Sequence, residues 1–353
     1  MSFTAPLRLA PRYAEVLWGG KRLASVLGKS CPSDRAIGES WEVFGANLIT
    51  SGGLAGRTLD EAARLDGPAI LGRRVLAEQD AADGFPLLIK FIDACLPLSV
   101  QVHPDDAYAR VHENGSRGKT EAWYIIDAPP GGRLIYGLRE GMDAARVARS
   151  VAENTLADSL AELPVRAGDA VFVPAGTVHA ITAGILLYEV QQRSEITYRL
   201  YDWGRVGPDG RPRPLHVEKA IAAIRFPQPP PRTTPALRVA TPDGARIFLA
   251  ACRYFALVAL EGMIEDTTDG ESFAALSVVN GTARLWWQGG EEQIARGETV
   301  VLPAGLGAYR LAISPGGRVL RSTVPDLAHD VIAPLRAAGY QPDEISALGA
   351  VSP

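Results

Sequence analysis

The chain has 353 residues, 47% hydrophobic and 22% charged, a composition ordinary for a globular protein with room for one large domain or two. Its 36 Lys plus Arg against 40 Asp plus Glu give a formal net charge of −4, and without an extended basic tract a nucleic-acid groove is not expected. Three scattered cysteines, Cys31, Cys95 and Cys252, with no CxxC spacing argue against a disulfide framework and fit a reducing compartment.

The N-terminal segment lacks a charged head followed by an apolar run, so it does not read as a signal peptide. No uncharged apolar stretch approaches membrane-spanning length, and the expected compartment is the cytoplasm. Taken in chain order, LWGG (17–20) reads either as a tight turn exposing Trp18 or as a turn beside a core tryptophan. IGESWEV (37–43) reads as a buried strand carrying Trp41. The stretch 57–81 has helical character. Short apolar runs punctuated by Gly and Pro follow: LLIKFIDA (87–94), LSVQVHP (98–104), AWYIIDA (122–128), DAVFVPAG (169–176) and ILLYEVQQ (185–192). That pattern predicts many short strands in a sandwich or barrel. Between them, Ala145, Val147, Val151, Leu156, Leu160 and Leu163 mark a helical stripe over 140–163, read as two short helices broken near Asn154. FPQPPPRTTP (226–235) is the linker candidate. Strands resume after it until about residue 325, where a turn of helix and a packed tail are expected.

One internal echo bears on architecture. RAGDAVFVPAGTVHAI (166–181) resembles ARGETVVLPAGLGAYRL (295–311) at one constant offset, with Gly168 on Gly297, Asp169 on Glu298, Pro174 on Pro303 and Gly176 on Gly305. The same hairpin used twice predicts two related β-barrels. At this alignment His179 falls on Ala308, so the second copy lacks the metal-type residue.

Of five histidines, two stand in telling contexts. In LSVQVHP, period two places Ser99, Gln101 and His103 on one face and Val100 and Val102 on the other. His179 follows the Pro-Ala-Gly turn of the repeated hairpin. Strands converging in a barrel can bring Gln101, His103, Glu121 and His179 around one ion. Two nitrogens and two oxygens suit catalytic Zn²⁺, with Mn²⁺, Fe²⁺ or Co²⁺ as alternatives. The plain alternative is a set of packed polar residues. In YEVQQRSEITYRLYDWGR (188–205), Glu189 and Gln191 share a face, and Arg199 and Arg205 flank Tyr198, Tyr201 and Trp203. Such arginines suit an anionic sugar, or else an ordinary surface. In GKTEAW (118–123), Lys119 and Glu121 face one side, ready to meet a phosphate or a developing enolate, or simply paired with each other.

These segments together resemble the type I mannose-6-phosphate isomerases in their shorter bacterial form. The matching stretches are LWGG, IGESWEV, FPLLIKFIDA, LSVQVHPDD, GKTEAWYII, GDAVFVPAGTVHAI and YEVQQRSEITYRLYDWGR. The resemblance is strong over about 15–226 and looser beyond. It implies a mainly β fold of two cupin-type (jelly-roll) barrels with a short helical insertion. A metal-binding catalytic domain over 1–228 would be followed by a metal-free cupin-like domain over 229–353. It implies one zinc ion, with the family's ligands falling on Gln101, His103, Glu121 and His179. The family's active-site arginine falls on Arg199, and Ser99, Lys119, Glu189 and Arg205 fall on pocket positions. At the last of these the longer family members carry lysine. Trp18 is expected to contribute to substrate binding.

The implied reaction interconverts mannose 6-phosphate and fructose 6-phosphate through an enediol(ate). Glu189, Lys119 or a water on the metal would move the proton between C1 and C2. Arg199 would stabilise the developing charge, and Arg205, Lys119 and Ser99 would bind the phosphate. The expected partner is a small-molecule hexose 6-phosphate, with no nucleic acid or membrane, and the chain is expected to act as a monomer or homodimer. The rival readings are a metal-dependent cupin enzyme acting on another substrate and a non-catalytic sugar-phosphate-binding protein.

Overall fold

The structure is a computed structural model that describes residues 4–32, 34–79, 81–207 and 210–352. It is mainly β. The first half supplies β1 (Leu7–Arg8), β2 (Arg12–Gly20), β3 (Ile37–Val43), β4 (Leu87–Ala94), β5 (Val100–Val102), β6 (Glu121–Asp127), β7 (Arg133–Leu138), β8 (Leu160–Pro164), β9 (Ala170–Val173), β10 (His179–Ile181), β11 (Ile185–Gln192) and β12 (Tyr198–Tyr201). The second half supplies β13 (Leu237–Thr241), β14 (Gly244–Ala251), β15 (Ala256–Thr267), β16 (Ala274–Asn280), β17 (Ala283–Trp287), β18 (Gly290–Ile294), β19 (Thr299–Leu302), β20 (Ala308–Ile313) and β21 (Arg318–Thr323).

Two sheets of the first half carry the site. One runs β2-β3-β4-β11-β6-β9 and the other β12-β5-β10-β7-β8. The third sheet, of ten strands, is built from the second half plus β1, which pairs with β19. Strands β4 and β11 are buried along their whole length, which accounts for their nearly continuous apolar sequences. Val100 and Val102 turn into the core with Tyr198 and Leu200, leaving the Gln101 face free for the site.

The repeated hairpin is present in both halves with one register. At the alignment that sets Gly168 on Gly297, β9 and β19 start and end together, Ala170 on Thr299 and Val173 on Leu302, and β10 and β20 also start together, His179 on Ala308. Asp169 accepts from the Arg166 amide at 2.9 Å, and Glu298 accepts from the Ala295 amide at 2.8 Å. Gly168 and Gly297 close these turns at φ +94 and +80, a region that favours glycine. At Gly297 a Cβ would also strike the Leu27 carbonyl. Glu121 pairs with Val173, and Ala274 pairs with Leu302, so Ala274 and Ala308 stand where the first half has Glu121 and His179.

The helical expectations are met in pieces. The stretch 57–81 holds three short helices, Leu59–Leu65, Gly67–Ile70 and Arg73–Glu78, interrupted at Asp66 and at Gly72 with φ +94. Thr58 and Glu61 form a capping box at the first of them. Over 140–163 only Ala144–Ala152 is an α-helix. Asn154 at φ +55 breaks it, Leu156–Ser159 is a single 3-10 turn, and β8 follows in place of the second helix. Leu160 and Leu163 are buried, but as strand residues. The tail ends in short helical turns packed on the second half through Leu335, Ile345 and Leu348.

A continuous core joins the halves, with Phe85, Phe91 and Tyr188 packed among Phe255, Phe273 and Leu320. The Tyr188 hydroxyl meets Ser322 Oγ at 2.9 Å across it. Nearby, buried Glu42 accepts from Ser40 and pairs with buried Lys29 at 2.7 Å, and Lys29 lies over the Phe91 ring. Burial pushes the Glu42 carboxyl upward despite this partner. Lys29→Met, which keeps the stem and deletes the charge, should destabilise the protein by about 3 kcal/mol. Urea unfolding should show a lower midpoint at an unchanged slope.

Candidate active site

His103, just beyond β5, Glu121, the first residue of β6, and His179, the first of β10, bring one ligand-type atom each within 4.8 Å of one another. Strand pairing causes this, because His179 lies directly opposite Gln101 across β10 and β5. All three side chains are about 1% exposed. The His103 Nδ1 lies 2.7 Å from the Ile196 carbonyl, and the His179 Nδ1 lies 2.9 Å from the Thr177 carbonyl. A carbonyl only accepts, so both Nδ1 atoms carry hydrogen and both Nε2 lone pairs face inward.

The inward nitrogens lie 3.6 and 3.3 Å from Glu121 oxygens. Burial lowers the pKa of both imidazoles, that of His179 to about 4, so both rings are neutral. Burial also raises the Glu121 carboxyl, against the pull of Lys119. Glu121 Oε1 is buried with no hydrogen-bond partner. The Lys119 ammonium stands 3.1 Å from His103 Nε2 and 2.5 Å from Glu121 Oε2, so a cation already suits this place. Neutral imidazoles with fixed tautomers, an unsatisfied buried carboxylate oxygen and a cation among them fit a divalent metal.

Gln101 turns its amide nitrogen to His179 Nε2 at 3.3 Å, and its oxygen lies 3.4 Å from Ser99 Oγ. Rotation of the amide about its last bond exchanges the two atoms and presents the oxygen to the cluster.

The cluster lies beside a cleft of about 410 Å³ whose lining includes Trp18, Ser99, Gln101, Lys119, Glu189 and Arg199. A larger cleft of about 970 Å³, bordered by Arg110, Arg117 and Arg253, is lined neither by Lys119, which contacts His103 and Glu121, nor by Gln101, which contacts His179, whereas the smaller cleft is lined by both. The chemistry belongs to the smaller one. Trp18 is not on an exposed turn: it is a buried residue of β2 that forms part of the cleft wall.

Glu189 lies opposite Lys90 on one side and Trp123 on the other, and Lys90 lies opposite Trp41, forming a row across β3, β4, β11 and β6. Trp123 donates its indole N–H to Glu189 Oε2 at 3.0 Å. Lys90 reaches Glu189 at 3.6 Å and Glu39 at 3.5 Å. Burial acts to raise the Glu189 carboxyl, but Lys119, Lys90 and the indole outweigh it and hold its pKa below the ordinary value. Glu189 Oε1 keeps no hydrogen-bond partner. Burial opposes the Lys90 charge, yet Glu39, Glu189 and Glu121 push its pKa up to about 12.

Sequence reasoning misses Lys90, Glu39 and Trp123. The available signal is a lone lysine inside LLIKFIDA, since a fully buried strand tolerates a charge only when it is paired.

Arg199 lies on β12 opposite Gln101. Its backbone amide donates to His216 Nδ1 at 3.1 Å, and its Nη1 donates to the Pro214 carbonyl at 2.9 Å. Arg205, expected in the pocket, is not among the lining residues. Its guanidinium is taken up by Asp202 Oδ1 and by the Pro97 carbonyl, each at 2.5 Å. Arg213 lines the cleft beside Arg199.

Residues 7–121 match the family model for the phosphomannose isomerase type I catalytic domain. The mannose-6-phosphate isomerase ManA of Bacillus subtilis is 37% identical over 314 residues, covering 87% of this chain and 96% of the relative. The crystal structure of the mannose 6-phosphate isomerase from Bacillus subtilis superposes with a TM-score of 0.81 at 30% identity, over 90% of this chain and 99% of that one. A zinc-bound mannose 6-phosphate isomerase structure shares the fold at a TM-score of 0.72 and 18% identity, over 90% of this chain and 98% of that one. With a buried His-Glu-His cluster beside a lysine- and arginine-lined cleft, and with relatives matched over most of its length, this chain belongs to the type I phosphomannose isomerase family.

Proposed function

We propose that this protein interconverts mannose 6-phosphate and fructose 6-phosphate with one bound Zn²⁺. The observation that carries this is the convergence of His103, Glu121 and His179 beside a cleft that also holds an ionised, unsatisfied carboxylate and a guanidinium. His103, Glu121 and His179 would hold the ion, with Gln101 joining through its amide oxygen. When bound, zinc supplies Lewis-acid polarisation of the sugar carbonyl.

The remaining work falls to side chains. Glu189, ionised and with Oε1 lacking a hydrogen bond, takes the C2 proton of the aldose and, after part exchange with solvent, delivers a proton to C1 of the enediol, while one proton passes from O2 to O1, so that no atom is gained or lost overall. Lys119 is tied to His103 and Glu121 and relays the oxygen proton, giving one to O1 and recovering one from O2. Arg199 stabilises the negative charge that develops as the proton leaves. Trp18, Trp123 and Ile181 wall the cleft and limit the access of water to the reacting carbons.

The same reading divides the chain near residue 228 into a metal-binding cupin domain and a second cupin-like domain. The hairpin that recurs in each half supports that division. It also assigns the protein to the cytoplasm as a monomer or homodimer. Among the described residues no helix is long and apolar enough to cross a membrane.

Turnover of mannose 6-phosphate in deuterium oxide tests both reaction and route. Fructose 6-phosphate carrying solvent deuterium at C1 in part is expected, because the proton held on Glu189 exchanges with solvent in a fraction of turnovers before it is delivered. Conversion with none would replace proton transfer by a direct hydride shift, and no conversion by folded, zinc-loaded protein would remove the isomerase reading.

A further inference from the structure

The charges along the cleft are segregated. At the buried end, Glu39, Glu121 and Glu189 stand against Lys90 and Lys119, all with side chains 16% exposed or less. At the other end Arg199 and Arg213 line the cleft, and behind them Arg205 and Arg213 both bind a single carboxylate, Asp202, which is itself 6% exposed. Arg213 binds Asp202 through two bonds, Nε to Oδ2 at 2.8 Å and Nη2 to Oδ1 at 2.6 Å. That pairing uses one edge of the guanidinium, and Nη1 is not part of it. Arg199 Nε is buried without a partner. Burial and the neighbouring Arg213 both act to lower the Arg199 pKa, as like charges held together must.

Three guanidiniums against one carboxylate leave about two positive charges uncompensated, and among the described residues the only other carboxylate lining this cleft away from the buried end is the exposed Glu195. A dianion resolves that excess, and planar guanidinium forks match phosphate oxygens.

Resting on the sugar-phosphate reading above, we propose that Arg213 is the phosphate-binding residue of this cleft, and that Arg205 is a positioning residue acting through Asp202. Arg205 has no free fork to offer: it is bound to Pro97 and to both the side chain and the carbonyl of Asp202. Its work is to hold Asp202, and Asp202 aims Arg213. This departs from the expectation that Arg205 itself meets the phosphate.

The test is titration of the zinc-loaded full chain with inorganic phosphate by calorimetry, alongside steady-state kinetics on mannose 6-phosphate. Arg213→Ala should weaken phosphate binding and raise KM about 10- to 100-fold, with kcat within about threefold of the wild type. Arg213→Lys should recover part of the loss, because it restores charge without the fork. Arg205→Ala should raise KM less than Arg213→Ala, and the double variant should be no worse than Arg213→Ala alone. Arg253→Ala, a surface change away from this cleft, should match the wild type. If Arg213→Ala fails to fold, Arg213→Gln and Arg213→Lys give the same readout. Phosphate binding and KM unchanged in a folded Arg213 variant would overturn the proposal. A wild type that binds phosphate through Arg213 yet turns over no mannose 6-phosphate would instead defeat the isomerase reading and leave this assignment standing.

Discussion

Replacing Glu121 by alanine is expected to reduce kcat by about 10⁴-fold and to reduce the zinc content of the purified protein to a small fraction of one ion per chain. The size follows from losing several kcal/mol of Lewis-acid stabilisation, at about 1.4 kcal/mol per factor of ten. Glu121 is the only anion in the three-residue cluster, since both imidazoles are neutral. Its removal also strips Lys119 of its 2.5 Å partner and leaves Glu189 as the remaining counter-charge of an ammonium beside His103. A stability cost of about 3 kcal/mol should accompany it, as a buried pair loses one partner, offset in part because the alanine removes a buried oxygen that has no hydrogen-bond partner. Zinc analysis with steady-state kinetics on one preparation checks this. Full zinc occupancy in the alanine variant would remove Glu121 from the ligand set.

Arg199→Ala should lower kcat by about 10²- to 10³-fold with a smaller change in KM, the size found when a single donor to a developing oxyanion is lost. Its strand position is opposite Gln101, because β12 pairs with β5 there, and its side chain lines the same cleft. Nη1 is fixed by the Pro214 carbonyl, while Nε stays buried without a partner. Such a group gains a hydrogen bond only when charge appears in front of it, which is how a donor can favour the transition state over the bound substrate. Arg199→Lys should recover part of the rate. The contrast with Arg213 is diagnostic, since Arg213→Ala acts on KM and Arg199→Ala acts on kcat. A full kcat in Arg199→Ala would end its electrostatic role.

Strand positions are legible because burial on both faces forces a continuous apolar run. LLIKFIDA and ILLYEVQQ read as strands over the same residues that form β4 and β11. The repeat is legible because a tight turn needs glycine and a local acid acceptor, and both recur in the second half, at Gly297 and Glu298. The residues of the metal-type cluster are legible only in part from spacing. Period two puts Gln101 and His103 on one face, but nothing local says that β10 will deliver His179 opposite Gln101. That is a long-range pairing, supplied in the sequence reading by family resemblance.

The misreadings have specific causes. Leu156, Leu160 and Leu163 keep helical spacing, yet Asn154 at positive φ and β7 beside β8 draw the later residues into a sheet. Tertiary pairing overrides a periodicity so short. Arg205 matches a motif position, but its fork is consumed by Pro97 and Asp202, contacts that no spacing encodes. Arg213 lies beyond the motif, lines the cleft and is bound there by Asp202, a contact that no spacing encodes.

The most direct test of the account is isomerase turnover of mannose 6-phosphate by protein stripped with a chelator, shown to be folded by circular dichroism, and then titrated with Zn²⁺. Activity should vanish on stripping and return in proportion to zinc, reaching its plateau at one ion per chain. Undiminished turnover in the metal-free protein, or no turnover at full zinc occupancy, would contradict it.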